Sequence, residues 1–251
     1  MSLIDLSAPD SAGVRILSLD DPERRNALSP QLKSELGVAI DLVARDDKTR
    51  ALVVTGHGSA FSAGADLPAL FGDTERDTAS LRRDLRDVYD SFLRIRRLEI
   101  PTLAAVQGPA VGAGLNLAMS CDIRIAGPSA KFGITFTRLG LHPGGGCTWF
   151  LTQVLGRQRT LALILDGGTL SADEAQSLGL VLEVVDNPLE NALARAHRWA
   201  EIDPMLARDI KHATTIAESS GFDATLDFEA WAQAASTRSP LLAGAIERFR
   251  K

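Results

Sequence analysis

The stretch AAVQGPAVGAGLNLAMSCDIRIAGPSAKFG, residues 104–133, carries the reading of the fold. An apolar, β-rich run (TLAAVQG, 102–108) leads into Gly112 and Gly114, which flank Ala113. The chain then takes helical spacing through Leu115, Leu117, Ala118 and Met119, and a second β-rich run, IRIAG (123–127), follows. Strand, glycine turn, helix and strand in that order describe a crossover between parallel strands. A glycine turn that opens a helix leaves backbone N–H groups free to face a ligand. Asn116 stands one turn into the helix, a polar residue inside an apolar run.

The same signals recur outward from this block. VRILSL (14–19), ALVVTG (51–56) and LVLEVV (180–185) read as further strands. Ser29 followed by Pro30 marks a helix start, and Leu32, Leu36, Ile40 and Val43 form one apolar stripe behind it. Ser171 to Glu174 (SADE) is a capping box, and Gly179 closes its helix. The fold class is therefore α/β with largely parallel sheets. The segment 65–80, rich in proline, glycine and charge, reads as a mobile loop. From about residue 188 strand signals stop, and helices are expected around 188–202, 204–219, 222–235 and 239–249. Two regions result, a core over 1–190 and a helical region over 191–251. The apolar content of the second exceeds what a small appendage buries on itself, so it packs either on another subunit or back on its own core.

Composition narrows the function. The 251 residues are 45% hydrophobic and 24% charged, which suits one large globular domain or a domain with an appendage. A net charge of −5 points away from nucleic acid and from anionic membrane as partners. The arginines between Arg82 and Arg97 interleave with Asp84, Asp87 and Asp90, as on a solvated helix face. The N-terminus has no basic and apolar leader pattern, and no apolar run approaches the roughly 18 residues of a membrane span. A cytoplasmic location is expected. Cys121 and Cys147 sit in apolar contexts and read as small buried hydrophobes. The four histidines lack zinc spacing, so no metal is expected. Phosphate-loop, dinucleotide and nucleophile-elbow motifs are absent from the sequence.

What remains is a pair of glycine turns, each after a strand: FSAGADL (61–67) and GPAVGAGLNLA (108–118). Turns on neighbouring parallel strands can aim one N–H each at a common point. Two donors about 3 Å from an oxygen that gains negative charge form an oxyanion hole.

With PERRNAL (22–28), AFSAGADL (60–67), the 104–133 block and GLHPGGG (140–146), the chain resembles the enoyl-CoA hydratase/isomerase (crotonase) superfamily from about residue 10 to 190. LSADEAQSLGLVLEVV (170–185) resembles the segment that follows in that family. The resemblance implies a crotonase-like spiral of ββα repeats with a C-terminal helical trimerisation region, assembled as a homotrimer or hexamer. It implies an acyl-CoA thioester as ligand, with coenzyme A entering as part of the substrate and no permanently bound cofactor. By motif position, the N–H groups of Ala65 and Ala113 bind the thioester oxygen. The family usually has glycine where this chain has Ala113, and a backbone donor survives that change. Ala63, Asp66 and Leu67 match the segment along adenine and pantetheine. Arg24 and Arg25 match the loop near the CoA phosphates, where their charge suits phosphate.

The chain departs from the pattern at the acid–base positions. Family hydratases carry two glutamates; here the first position holds Asn116 and the second Phe136. Family isomerases use a single carboxylate, usually at the Phe136 position. General acid–base groups contribute roughly 10²–10⁴-fold each, and an asparagine amide has no proton to exchange near neutral pH. His142 is either a proton-transfer group or a histidine satisfied by local backbone, and Tyr89 reads as core or surface. Two functions follow: an enzyme that stabilises a thioester enolate, or a catalytically inactive acyl-CoA binding or carrier protein.

Overall fold

A computed structural model describes residues 2–249 of the chain. The first half contains β1 (Ile4–Leu6), β2 (Val14–Leu19), α1 (Pro30–Ala44), β3 (Ala51–Gly56), α2 (Leu67–Phe71), α3 (Thr78–Leu93), β4 (Thr102–Val106), β5 (Ala110–Val111) and α4 (Ala113–Ser120). The second contains β6 (Ile123–Ala126), β7 (Lys131–Gly133), α5 (Cys147–Leu165), β8 (Thr169–Ser171), α6 (Ala172–Ser177), β9 (Glu183–Val184), α7 (Pro188–Ala200), α8 (Pro204–Ser219), α9 (Phe222–Ser236) and α10 (Pro240–Phe249). Short 3₁₀ turns lie at Pro22–Arg24, Arg94–Arg97 and Phe136–Leu139.

One sheet runs β1-β2-β3-β4-β6-β9, parallel throughout except for the antiparallel edge strand β1. A smaller sheet runs β5-β7-β8. Both faces of the large sheet are covered, which is why its strands read as continuous apolar runs. Leu52, Val54, Ala104 and Val106 face a core shared with Leu32, Leu36, Phe92, Leu115 and Leu117. Their neighbours Ala51, Val53, Leu103 and Ala105 face the other way, onto Ala192, Ala196 and Ala200 of α7. The two-residue period of a strand sorts alternate side chains between the two layers.

The runs at 14–19, 51–56, 102–108 and 123–127 form β2, β3, β4 and β6, while 180–185 yields only the short β9. Leu180 and Val181 are instead buried before that strand begins. The stretch 65–80 is not a continuous loop. Asp66 Oδ1 accepts the Ala69 N–H at 3.1 Å and Asp77 Oδ1 accepts the Ser80 N–H at 2.9 Å, so each caps a helix and only 72–77 stays irregular. Pro68 lies in the first turn of α2, where its missing N–H costs nothing. The proline, glycine and charge of 65–80 favour loop, but the two caps turn 67–71 and the residues from 78 on into helix.

The capping box forms as the spacing predicts: Ser171 Oγ accepts the Glu174 N–H at 3.3 Å, and Glu174 Oε2 accepts the Ser171 N–H at 2.8 Å. Ser171→Ala is expected to lower unfolding stability by about 1 kcal/mol. Urea midpoints at an unchanged denaturant slope measure this; a midpoint equal to wild type rejects it.

Four helices end the chain, as the sequence predicts. α7 closes one face of the sheet. α8 is tied back by Lys211 Nζ, which lies 2.8 Å from both the Ile100 carbonyl and Asp122 Oδ2, and by the Arg96–Glu218 ion pair. α9 and α10 leave Phe222, Trp231, Leu241 and Phe249 more than half exposed, at 77, 56, 85 and 92%. Among the described residues no helix is long and apolar enough to cross a membrane.

Candidate active site

The PERRNAL loop is held by Asn26, which is fully buried. Its Nδ2 donates to the carbonyls of His57 (2.9 Å), Ala60 (2.9 Å) and Phe61 (3.2 Å), and its Oδ1 accepts the Asp21 N–H at 2.9 Å. Arg25 and Asn26 both adopt left-handed backbone, with φ of 51° and 55°. Asparagine tolerates this conformation better than most residues. The loop is also strapped to the AFSAGADL turn: the Ala63 N–H donates to the Arg25 carbonyl at 2.8 Å, and the Leu28 N–H to the Gly64 carbonyl at 2.7 Å.

Ser62 joins this assembly to the second glycine turn. Its hydroxyl donates to the Asn26 carbonyl at 2.7 Å, its N–H to the Pro109 carbonyl at 3.1 Å, and its carbonyl accepts the Val111 N–H at 3.0 Å. Gly64 is required at the junction. Its φ is +94°, a Cβ there would overlap the Val111 carbonyl oxygen, and the same Cβ would come 3.3 Å from the Ala113 nitrogen. The two turns are therefore in direct backbone contact. Ala65 follows Gly64, and Ala113 opens α4 behind Gly112. Among the described residues neither Ala65 N–H nor Ala113 N–H donates to a protein acceptor. For Ala113 the cause is general, since first-turn amides have no partner within their own helix.

All eight residues of α4 are buried. Asn116 is 1% exposed; its Nδ2 donates to the Gly144 carbonyl at 2.8 Å, while its buried Oδ1 has no hydrogen-bond partner among the described residues. An orphaned buried acceptor costs about 1–3 kcal/mol. Phe136 is half-buried and lies beside the same turn, its Cζ 3.7 Å from where a Gly112 Cβ would be. Tyr89 packs on the 144–145 segment from α3, and burial raises its phenol above the usual tyrosine range. The structure thus gathers Ala65, Ala113, Asn116 and Phe136 around one pair of turns and adds Tyr89.

His142 is not drawn into this group by any hydrogen bond: it is exposed, with Nδ1 2.7 Å from the carbonyl of its own neighbour Pro143. Arg24 and Arg25 are exposed, and Arg24 Nε lies 3.0 Å from Asp21 Oδ2. Ala63 and Leu67 are exposed on the turn, and Asp66 caps α2. Cys121 and Cys147 are buried and unpaired, and burial pushes each thiol up to about 12, which leaves no thiolate nucleophile near neutral pH.

Three residues with clear roles here escape a reading of the sequence alone. Asn26 has a local signal, a polar side chain in a loop that needs positive φ. Tyr89 has none, because its partners lie far along the chain, and Ser62 shows only its local bond, the Gly64 N–H that its Oγ accepts at 3.2 Å.

Comparison with known proteins agrees with this frame. The Enoyl-CoA hydratase/isomerase family model matches residues 10–239. "Probable enoyl-CoA hydratase EchA14" of Mycobacterium tuberculosis is 46% identical over 183 residues, 73% of this chain and 70% of that protein. The 1,2-epoxyphenylacetyl-CoA isomerase of Escherichia coli is 37% identical over 220 residues, 86% and 84% of the two chains. The structure described as "Crystal structure of putative Enoyl-CoA hydratase/isomerase from Mycobacterium abscessus" superposes with a TM-score of 0.90 at 34% identity, covering 98% of this chain and 95% of that one. With the α/β crotonase fold and its C-terminal helices in place, this chain belongs to the enoyl-CoA hydratase/isomerase family of enzymes.

Proposed function

We propose that the chain binds an acyl-CoA thioester with its carbonyl oxygen between the N–H groups of Ala65 and Ala113, and stabilises the enolate formed from it. The observation that carries this is the pair of unpartnered amides on two turns in backbone contact at Gly64. Two relatives whose names specify CoA thioesters, 1,2-epoxyphenylacetyl-CoA isomerase and 2,3-dehydroadipyl-CoA hydratase of Escherichia coli, support the ligand class. Arg24 and Arg25, exposed and cationic, would meet the CoA phosphates, with Ala63, Asp66 and Leu67 along the rest of the cofactor moiety. Asn116 and Phe136 take the places of the family's two glutamates. Neither transfers a proton at neutral pH, so water addition by a carboxylate pair is not the reaction of this site. His142, exposed and bound to its own backbone, is not assigned the missing role.

The boundary expected at 190 moves to about residue 200, because Ala192, Ala196 and Ala200 of α7 pack under the sheet as part of the core. The same reading makes the helices after α7 an assembly region, in a homotrimer or hexamer. The exposed Phe222, Trp231, Leu241 and Phe249 support it, because isolated monomers rarely leave so many large apolar side chains in water. Two unpaired cysteines suit the cytoplasm.

The test follows the conjugated-thioester absorbance of short and long 2-enoyl-CoA substrates and, in parallel, titrates the protein with acyl-CoA. Acyl-CoA should bind, with hydration at least about 10²-fold slower than in a relative that keeps both glutamates. Hydration at the relative's rate overturns the assignment of Asn116 and Phe136. Tight binding with no turnover on any thioester selects the carrier function, and no binding at all rejects the thioester site.

A further inference from the structure

Strands β3 and β4 pair from Leu52 opposite Thr102 to Val54 opposite Ala104. Past that point each keeps its outer neighbour, β3 as far as Gly56 against β2 and β4 as far as Val106 against β6. Side chains take over where the ladder between them stops. Thr55 Oγ1 donates to the Ala105 carbonyl at 3.0 Å, and Gln107 Nε2 donates to the carbonyls of Gly56 and, at 2.9 Å, Ala60. The Gln107 Oε1 is buried with no partner among the described residues. A buried acceptor without a donor is a cost to the fold, so the value of this amide lies in its Nε2.

Beyond Gln107 the two donor segments run side by side. A Cβ on Gly108 would overlap the Ser59 carbonyl oxygen and come 3.2 Å from the Ala60 Cα, and Ser62 forms a parallel bridge with Ala110. A Cβ on Gly64 would lie 3.3 Å from the Ala113 nitrogen. Ala65 stands five residues after Ala60, and Ala113 five after Gly108. Gln107 therefore spans the two segments at their common root, with its backbone on one and its hydrogen bonds on the other. We infer that Gln107 is a positioning residue. By holding the 56–60 turn against the end of β4 it sets the separation of the Ala65 and Ala113 N–H groups, and with it the polarisation of the thioester carbonyl. This rests on the thioester reading of those two amides. Gln107 itself touches no substrate; its effect passes through a backbone run too short to absorb a shift at its base, and an oxyanion donor is effective only at about 3 Å from the oxygen.

Infrared difference spectra of bound butyryl-CoA, isotopically labelled at the thioester carbonyl, test it. In wild type the carbonyl stretch should lie at lower frequency than in water, because two donors draw charge onto the oxygen. Gln107→Leu removes the donor and the orphaned acceptor together. It should lose about half of that displacement or more, as when one of two donors falls out of line, while affinity for butyryl-CoA stays within a few-fold. A merely structural role would lower the urea midpoint and leave the carbonyl frequency in the folded protein unchanged; that result overturns the inference. So does a folded variant that no longer binds, since the residue would then hold the whole site rather than the spacing of its donors. If Gln107→Leu does not fold, Gln107→Glu keeps the shape, sets a carboxylate against the Gly56 and Ala60 carbonyls at neutral pH, and should lose the same displacement. A wild-type frequency there overturns the inference as well. No displacement in wild type, or failure of wild type to bind butyryl-CoA, rejects the thioester reading of Ala65 and Ala113, and the inference with it.

Discussion

Ala113→Pro should lower kcat/KM on the thioester substrate by about 10²–10³-fold, the measured worth of one oxyanion donor. Proline removes the N–H at this position without breaking the helix. Ala113 is the first residue of α4, where a helix accepts proline without breaking, because the amide has no helical partner to lose. The pyrrolidine ring would project where the N–H now points, toward the proposed oxygen site, and so also obstruct the ligand. Ala113→Gly is the matching control, since it keeps the donor and should retain activity within a few-fold at an order-of-magnitude level. Steady-state kinetics on the thioester that turns over fastest decides the matter. Wild-type kcat/KM in the proline variant, with an unchanged fold, would show that the second glycine turn does not hold the reacting oxygen.

Asn26→Ala should cost about 3–4 kcal/mol of stability, near the upper end for single substitutions. Three carbonyls, those of His57, Ala60 and Phe61, lose a donor, and the Asp21 N–H loses its acceptor. Each group left buried and unpaired costs about 1–3 kcal/mol, with partial relief from relaxation and water entry. Alanine is also a poorer occupant of φ 55° than asparagine. The consequence extends to the site, because the Asn26 carbonyl receives the Ser62 hydroxyl and Ser62 joins the two glycine turns. Acyl-CoA affinity should therefore fall along with the urea midpoint. A loss below about 1 kcal/mol would mean that the strap contributes little beyond its backbone bonds.

The parts of the fold legible in the sequence share one property: their causes are local. The short apolar runs of β2, β3, β4 and β6, the Ser29 and Ser171 caps, and the glycines before Ala65 and Ala113 depend on residues within a few positions of one another. Those residues were enough to place the strands, the helix starts and both donor turns, and a characteristic set of short motifs was enough to suggest the family. The 65–80 stretch shows the limit of composition, since the Asp66 and Asp77 caps outweighed its proline, glycine and charge.

Tertiary structure decided what depends on contacts between distant segments. Strands as short as β5, β7 and β8 leave no periodic trace, and only pairing across the chain creates them. Asn26 reaches carbonyls more than thirty residues away, Asn116 donates to a carbonyl 28 residues on, and Tyr89 fills the space left by Gly144. No local pattern encodes such partners, because the chain between them is free to vary while the contact is kept. By itself the sequence therefore determined the layered α/β plan and the two amide-bearing turns. Only the folded chain decided that Asn116 keeps an unpaired buried oxygen, that Tyr89 stands beside it, and that His142 stays outside. The physical reason is that propensity and capping act over one or two helical turns, whereas a buried polar group is satisfied or orphaned by whatever the whole fold packs against it.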